Sequence, residues 1–137
     1  MERTLVMVKP DAVQAGHVGA VIQRFEAAGL RLRAMRLVHL TRQEAEGFYC
    51  VHRERPFFAG LTTFMSSGPT VAMVLEGPGA IQQVRKLMGA TDPAKAEAGT
   101  LRKDFATSVE RNAVHGSDSP ESAAYEIPYF FSALDLV

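Results

Sequence analysis

The stretch Thr4-Leu5-Val6-Met7-Val8-Lys9-Pro10-Asp11 sets the reading of the whole chain. Thr4 to Val8 is apolar and rich in β-formers, and Pro10 ends it, so it predicts a buried strand. From there on the segments alternate in character, which points to an α/β or α+β arrangement. The apolar run stops at Lys9, too short for a signal peptide and far too short to span a bilayer. Lys9 follows directly on the strand and puts an ammonium at the mouth of the sheet, where ligands gather.

Working outward, strands and helices alternate. Val21, Ile22, Phe25 and Ala28 recur at helical spacing over residues 19–28, and Gly29 supplies the stop. Residues 30–40 predict a second strand in which Arg31, Arg33 and Arg36 form a solvated face. Thr41-Arg42-Gln43-Glu44 matches a capping box, which opens a helix expected to run to about His52. Pro56 opens another helical piece, Phe57 to Met65, closed by Ser67-Gly68-Pro69. The two form a helical hairpin over part of a cleft. Thr70 to Leu75 is a third strand. Pro78 starts a helix carrying Ile81, Val84, Leu87 and Met88 that stops at Gly89. Residues 90–103 show no sustained period, the mark of a functional or irregular loop. A short strand is expected to lead into His115. Ser119-Pro120-Glu121 begins a last helix that should end near Pro128. The tail, Tyr129 to Val137, is apolar enough to pack.

Size and charge bound the function. The 137 residues suit one domain, 1–137, able to bury its own core. Fifteen Lys and Arg balance fifteen Asp and Glu, which argues against a nucleic-acid or membrane-surface protein. The balance still permits an anionic small ligand, which needs only a local cluster of cations. The single cysteine, Cys50, forbids an internal disulfide and fits a reducing, cytoplasmic setting; it reads as a small apolar helix residue.

A second stretch carries the chemistry: Asn112-Ala113-Val114-His115-Gly116-Ser117-Asp118-Ser119. Small neighbours leave the His115 imidazole open, and Gly116 lets another group approach closely. A free imidazole can accept a transferred group near neutral pH, although a lone histidine between apolar residues is also a common core residue. His17, His39 and His52 are scattered and read as structural or solvent-facing. If the fold gathers Lys9, Arg85, Thr91, Arg102 and Asn112, the result is three cations, a hydroxyl and an amide. That set suits a polyphosphate. Taken singly, Arg85 is a solvated helix residue and Lys9 a strand-end solubiliser. No glycine-rich phosphate loop is present, and no His-x-x-x-His or Cys-x-x-Cys spacing for a metal.

The chain resembles nucleoside diphosphate kinases over nearly its whole length. The resemblance rests on residues 4–11, on Arg55-Pro56-Phe57-Phe58-Ala59-Gly60-Leu61, on Ser67-Gly68-Pro69, on Gly99-Thr100-Leu101-Arg102 and on the histidine stretch. It implies a ferredoxin-like α+β sandwich, with a four-stranded antiparallel sheet covered by helices. It implies that Lys9, Tyr49, Arg85, Thr91, Arg102 and Asn112 contact phosphates or ribose. Phe57 would stack on the base beside Leu61 and Val109, although spacing alone makes these three simple core. Glu126 would hydrogen-bond His115 with support from Ser117. Magnesium would ride on the nucleotide phosphates without direct protein ligands, with Asp118 acting through water. The activity implied is transfer of a γ-phosphoryl group between nucleoside tri- and diphosphates through phosphohistidine, with broad base and sugar tolerance. Identical subunits in a tetramer or hexamer are also implied. A regulatory nucleotide- or nucleic-acid-binding module and a histidine phosphorelay protein are the rival readings. The first would show salt-steep DNA affinity; the second would need a partner kinase and would not autophosphorylate from ATP.

Overall fold

The computed structural model describes residues 1–137. Four strands form one antiparallel sheet in the order β2-β3-β1-β4, with β1 Glu2–Val8, β2 Arg31–Val38, β3 Thr70–Gly77 and β4 Val114–Gly116. Helix α2 (Val18–Ala27) links β1 to β2, and α5 (Ala80–Met88) links β3 to β4. Each crossover skips one strand, so two split βαβ units interleave in the ferredoxin-like manner.

Strand β1 lies between β3 and β4 and is covered on both faces, which explains its unbroken apolar run. Val6 and Val8 point to one face. There they pack with Val21 and Phe25 of α2, Val84 and Met88 of α5, and Leu101. Leu5 and Met7 point to the other, against Ala45 and Phe48 of α3 (Arg42–Phe48), Phe64 and Met65 of α4 (Phe58–Met65), and Phe130 of α7 (Pro120–Phe130). The period of two thus assigns one helical layer to each side of the sheet.

Several boundaries differ from those predicted. Helix α3 keeps its reciprocal Thr41–Glu44 capping box but ends at Phe48, and a 3-10 turn, Cys50–His52, follows. Helix α4 starts at Phe58, with Phe57 at its cap. Helix α5 starts at Ala80, because Gly79 before it is left-handed (φ 56°). Strand β3 runs on to Gly77. Two short helices have no sequence period to reveal them: α1 (Pro10–Gln14), with proline in its first turn, and α6 (Leu101–Phe105), capped by Thr100 accepting from Lys103 N. Strand β4 contains His115 rather than leading to it. Helix α7 passes through Pro128 to Phe130. Proline removes the bond to the Ala124 carbonyl, and both residues face solvent, so water can serve that oxygen.

Strand β2 is an edge strand with an irregularity between Leu32 and Ala34. Its arginines are only partly the solvated face expected: Arg36 donates to Phe130 O at 3.0 Å, and Arg33 lies 3.5 Å from Glu76.

Candidate active site

His115 enters the site through strand register. It pairs with Met7 across β1 and β4, so its ring shares the face of Met7 and meets Phe48 and Tyr49 edge-on, at 5.4 and 5.8 Å between ring centres. Its neighbours Val114 and Gly116 face α5. A Cβ on Gly116 would stand 2.9 Å from Met88 Cε and 3.0 Å from Val84 Cγ1. Close approach at Gly116 is therefore required by helix packing, not by an incoming group.

Glu126 comes from α7. Its Oε1 lies 2.9 Å from His115 Nε2 and accepts from Ser117 Oγ at 2.8 Å. An ionised carboxylate only accepts, so Nε2 carries the proton and Nδ1 keeps its lone pair. Ser117 is fully buried, and its Oγ also accepts from Leu5 N at 3.2 Å, which ties the pair to the central strand. The His115 and Glu126 side chains keep 18% and 13% of their exposure. The imidazole is therefore held from one side and reachable from the other.

The cations converge around Asn112, which is 3% exposed. Lys9 Nζ donates to its Oδ1 at 2.8 Å, its Nδ2 donates to Thr91 O at 3.4 Å, and Arg102 Nε donates to its carbonyl at 3.4 Å. Arg102 also donates to Gly89 O at 3.0 Å and Val114 O at 2.9 Å. This arginine thus stitches the end of α5 to β4. Burial pushes its pKa down to about 10, with repulsion from Arg85 adding to it. Lys9 is 7% exposed, so it is no strand-end solubiliser. Burial, and then Arg102, depress its ammonium to about 8, while Asp11 opposes the fall. Two cations held at such cost, with a third beside them, create a strong local demand for an anion.

The remaining residues are placed as follows. Arg85 is exposed on α5, close enough to act electrostatically on both Arg102 and Asp118. Asp118 is exposed, and its carboxyl sits below the usual range because Ser122 hydrogen-bonds it. Tyr49 is 5% exposed, and its hydroxyl is buried without a partner. Burial, and then Glu126, push that hydroxyl's pKa upward, so it remains a donor. Phe57 and Val109 are exposed by 52% and 57% on separate segments, and Leu61 is half-buried against the α3–α4 core. Arg111 connects those segments by lying over the Phe64 ring at 5.5 Å. Leu61 N donates to Phe57 O at 2.9 Å, so these two share the first turn of α4, whereas Val109 comes from the loop before β4. The His52 ring lies 5.4 Å from Phe57 and flanks it, a neighbour the sequence does not mark. Phe48 and Asp11 are also absent from the sequence-derived set. Only the register of β4 brings Phe48 to the histidine, and only the fold of residues 9–11 brings Asp11 to Ala113 two residues before it.

A hydrogen-bonded imidazole with a free Nδ1, beside buried cations and an unpartnered phenol, is the equipment of an enzyme that passes an anionic group through histidine. The sequence pattern that defines the nucleoside diphosphate kinase family matches residues 2–136. The chain is 60% identical to the nucleoside diphosphate kinase of Desulfosudis oleivorans, over 100% of this chain and 99% of that one. It is 61% identical to that of Geotalea uraniireducens over the full length of both. Its fold superposes on the Aquifex aeolicus nucleoside diphosphate kinase with a TM-score of 0.97 at 49% identity, covering 99% of each chain. A Halobacterium salinarum nucleoside diphosphate kinase in complex with CDP gives 0.95 at 43% identity, covering 99% of this chain and 91% of that one. The chain belongs to the nucleoside diphosphate kinase family.

Proposed function

We propose that residues 1–137 act as one domain that moves the terminal phosphoryl group of a nucleoside triphosphate to a nucleoside diphosphate through His115. The observation that carries this reading is the Glu126 Oε1 to His115 Nε2 hydrogen bond at 2.9 Å, which leaves Nδ1 free. The Nδ1 lone pair attacks the γ-phosphorus, the bond from that phosphorus to the β,γ-bridging oxygen breaks, and the diphosphate leaves. A terminal oxygen of a second diphosphate then attacks the same phosphorus and releases the imidazole. Glu126 stabilises the ring as it becomes positive, and Ser117 keeps that carboxylate oriented. Arg85, Arg102 and Lys9 balance charge on the phosphate oxygens, Tyr49 donates to the transferred group, and Asn112 and Thr91 fix Lys9 and the ribose–phosphate region. Phosphoryl transfer asks mainly for such positioning and charge.

Phe57, Leu61 and Val109 hold the base by stacking and contact. Every base offers a π-face, so selectivity among bases is weak. No group of three or more His, Cys, Asp or Glu side chains is placed to cage a metal. A single exposed carboxylate, Asp118, fits a magnesium ion that arrives on the nucleotide and keeps its water ligands. Bound there, magnesium neutralises phosphate charge. The enzyme works as an assembly of identical subunits, a tetramer or a hexamer, in the cytoplasm. Met35 and Leu37, 50% and 67% exposed on edge strand β2, support assembly, and the free Cys50 fits a reducing compartment.

The test is incubation with magnesium and γ-labelled ATP without acceptor. An acid-labile, base-stable label that GDP discharges as GTP is the expected result, and His115→Ala should abolish it. A labelled His115→Ala protein, or no label on the wild type, overturns the reading.

A further inference from the structure

The turn before His115 is strained. Ala113 has φ 73°, the one non-glycine residue of the chain with positive φ, and it is fully buried. Val114 N donates to Asn112 O at 2.8 Å across it, an i to i+2 bond that makes Ala113 the centre of a γ-turn. A Cβ at such φ is disfavoured, so something must hold the turn.

The segment that follows β1 grips the Ala113 residue at both ends. Lys9 N donates to Ala113 O at 2.8 Å, and Ala113 N donates to Asp11 Oδ2 at 3.1 Å. The second oxygen, Oδ1, is buried and has no partner. Asp11 as a residue is half-buried, but an oxygen enclosed without a partner is a poor device for stability alone. The carboxylate's one bond goes to the strained residue, which lies between Asn112 (the Lys9 acceptor) and the strand carrying His115.

We propose that Asp11 is a positioning residue for phosphoryl transfer: its carboxylate holds the γ-turn at Ala113 and so fixes Asn112, Lys9 and His115 relative to one another. This rests on the reading of His115 as the phosphoryl acceptor. Without the Asp11 bond, Ala113 relaxes toward negative φ. The peptides on either side rotate, and the nucleophile and the Lys9 ammonium lose their alignment. Misplacement of reacting groups by about 1 Å costs on the order of 10²-fold in rate.

The experiment compares rapid-quench phosphoenzyme formation from ATP in the wild type, Asp11→Ala, Asp11→Asn and Asp11→Ala/Ala113→Gly, with melting temperatures recorded beside the rates. Asp11→Ala should slow the step on the order of 10²-fold at saturating ATP, with KM changed by less than about threefold. Asp11→Asn keeps an oxygen for Ala113 N–H and should retain most of the rate. Adding Ala113→Gly should recover a large part of the Asp11→Ala loss, because glycine takes positive φ without strain. A merely structural role predicts rates that follow melting temperature, with no selective rescue by glycine. That pattern, or Asp11→Ala within twofold of wild type, overturns the proposal. Failure of the wild type itself to form phosphoenzyme overturns the histidine reading instead, so the two failures are distinct.

Discussion

Replacing Lys9 by methionine should sharply lower turnover and yet stabilise the protein at neutral pH. The ammonium is 7% exposed and its pKa falls from 10.5 to about 8, chiefly through burial. At roughly 1.4 kcal/mol per unit, the displacement corresponds to about 3 kcal/mol held against the folded state. The unfolded chain keeps the ordinary lysine value. Between pH 8 and 10.5 it therefore binds more protons than the folded chain, and wild-type stability rises with pH in that window. Below pH 8 both states are protonated and the full cost is present. Methionine removes the charge at similar length but deprives Asn112 Oδ1 of its donor, a loss of about 1–2 kcal/mol. The net expectation at pH 7 is a Lys9→Met protein roughly 1–2 kcal/mol more stable than wild type. The advantage should shrink to nothing or reverse by about pH 10, where folded Lys9 is neutral. The chain has no tryptophan, so urea unfolding followed by far-ultraviolet circular dichroism at both pH values is the assay. A variant less stable than wild type at pH 7, or a difference that does not change with pH, would refute the reasoning. Turnover in the variant should be at least about 10²-fold lower, as for loss of one preorganised charge.

Three other perturbations give separate readouts. Glu126→Gln keeps the shape but removes the charge that supports the His115 ring, so phosphoenzyme formation should slow on the order of 10²–10³-fold with the fold intact; an unchanged rapid-quench rate contradicts the role. Gly116→Ala places a methyl 2.9 Å from Met88 Cε and should cost about 1–3 kcal/mol in denaturant unfolding; Met88→Ala added to it should relieve part of the clash. Thr41→Ala removes the hydroxyl that accepts from Glu44 N and should lower stability by about 1 kcal/mol, with kcat unchanged.

The fold was legible where a single element states its own environment. Thr4 to Val8 reads as a buried strand because both of its faces are apolar, and Thr41 to Glu44 reads as a helix start because the cap is local in sequence. Elements of five residues, such as α1 and α6, leave no period to detect. Their existence rests on a proline or a cap together with tertiary contacts. Pro128 misleads for a related reason: the bond it deletes lies on the solvent side, so the helix continues. At the site, residue types suggest a phosphate centre, but the burial and charge state of each are invisible in sequence. Lys9 and Arg85 carry the same formal charge in sequence, whereas the fold buries the first and exposes the second. Nothing local predicts that Asp11 would reach Ala113, 102 positions later.

Several unfavourable features lie around His115, apart from the buried Thr4 Oγ1 on β1 and Arg33 Nε on edge strand β2, which lack hydrogen-bond partners, and the register of β4 sets the direction of that histidine. Val114 and Gly116 must pack on α5, so the residue between them has to face the other layer, and that residue is His115. Tight packing on one side therefore sets the direction of the His115 ring on the other. Near it stand the positive φ at Ala113, the depressed ammonium of Lys9, and the buried, unpartnered groups of Asp11 and Tyr49. None of these stabilises the apo protein, and a chain selected for stability alone would lose each by one substitution. On the proposed reading, a polyphosphate supplies counter-charge for Lys9, Arg85 and Arg102 and an acceptor for the Tyr49 hydroxyl, while the Asp11 carboxylate and the Ala113 turn gain nothing from it. Binding of that kind offsets the cost of the buried cations, so nucleotide should raise the melting temperature of wild type more than that of Lys9→Met. Equal shifts in the two proteins would place the relief elsewhere.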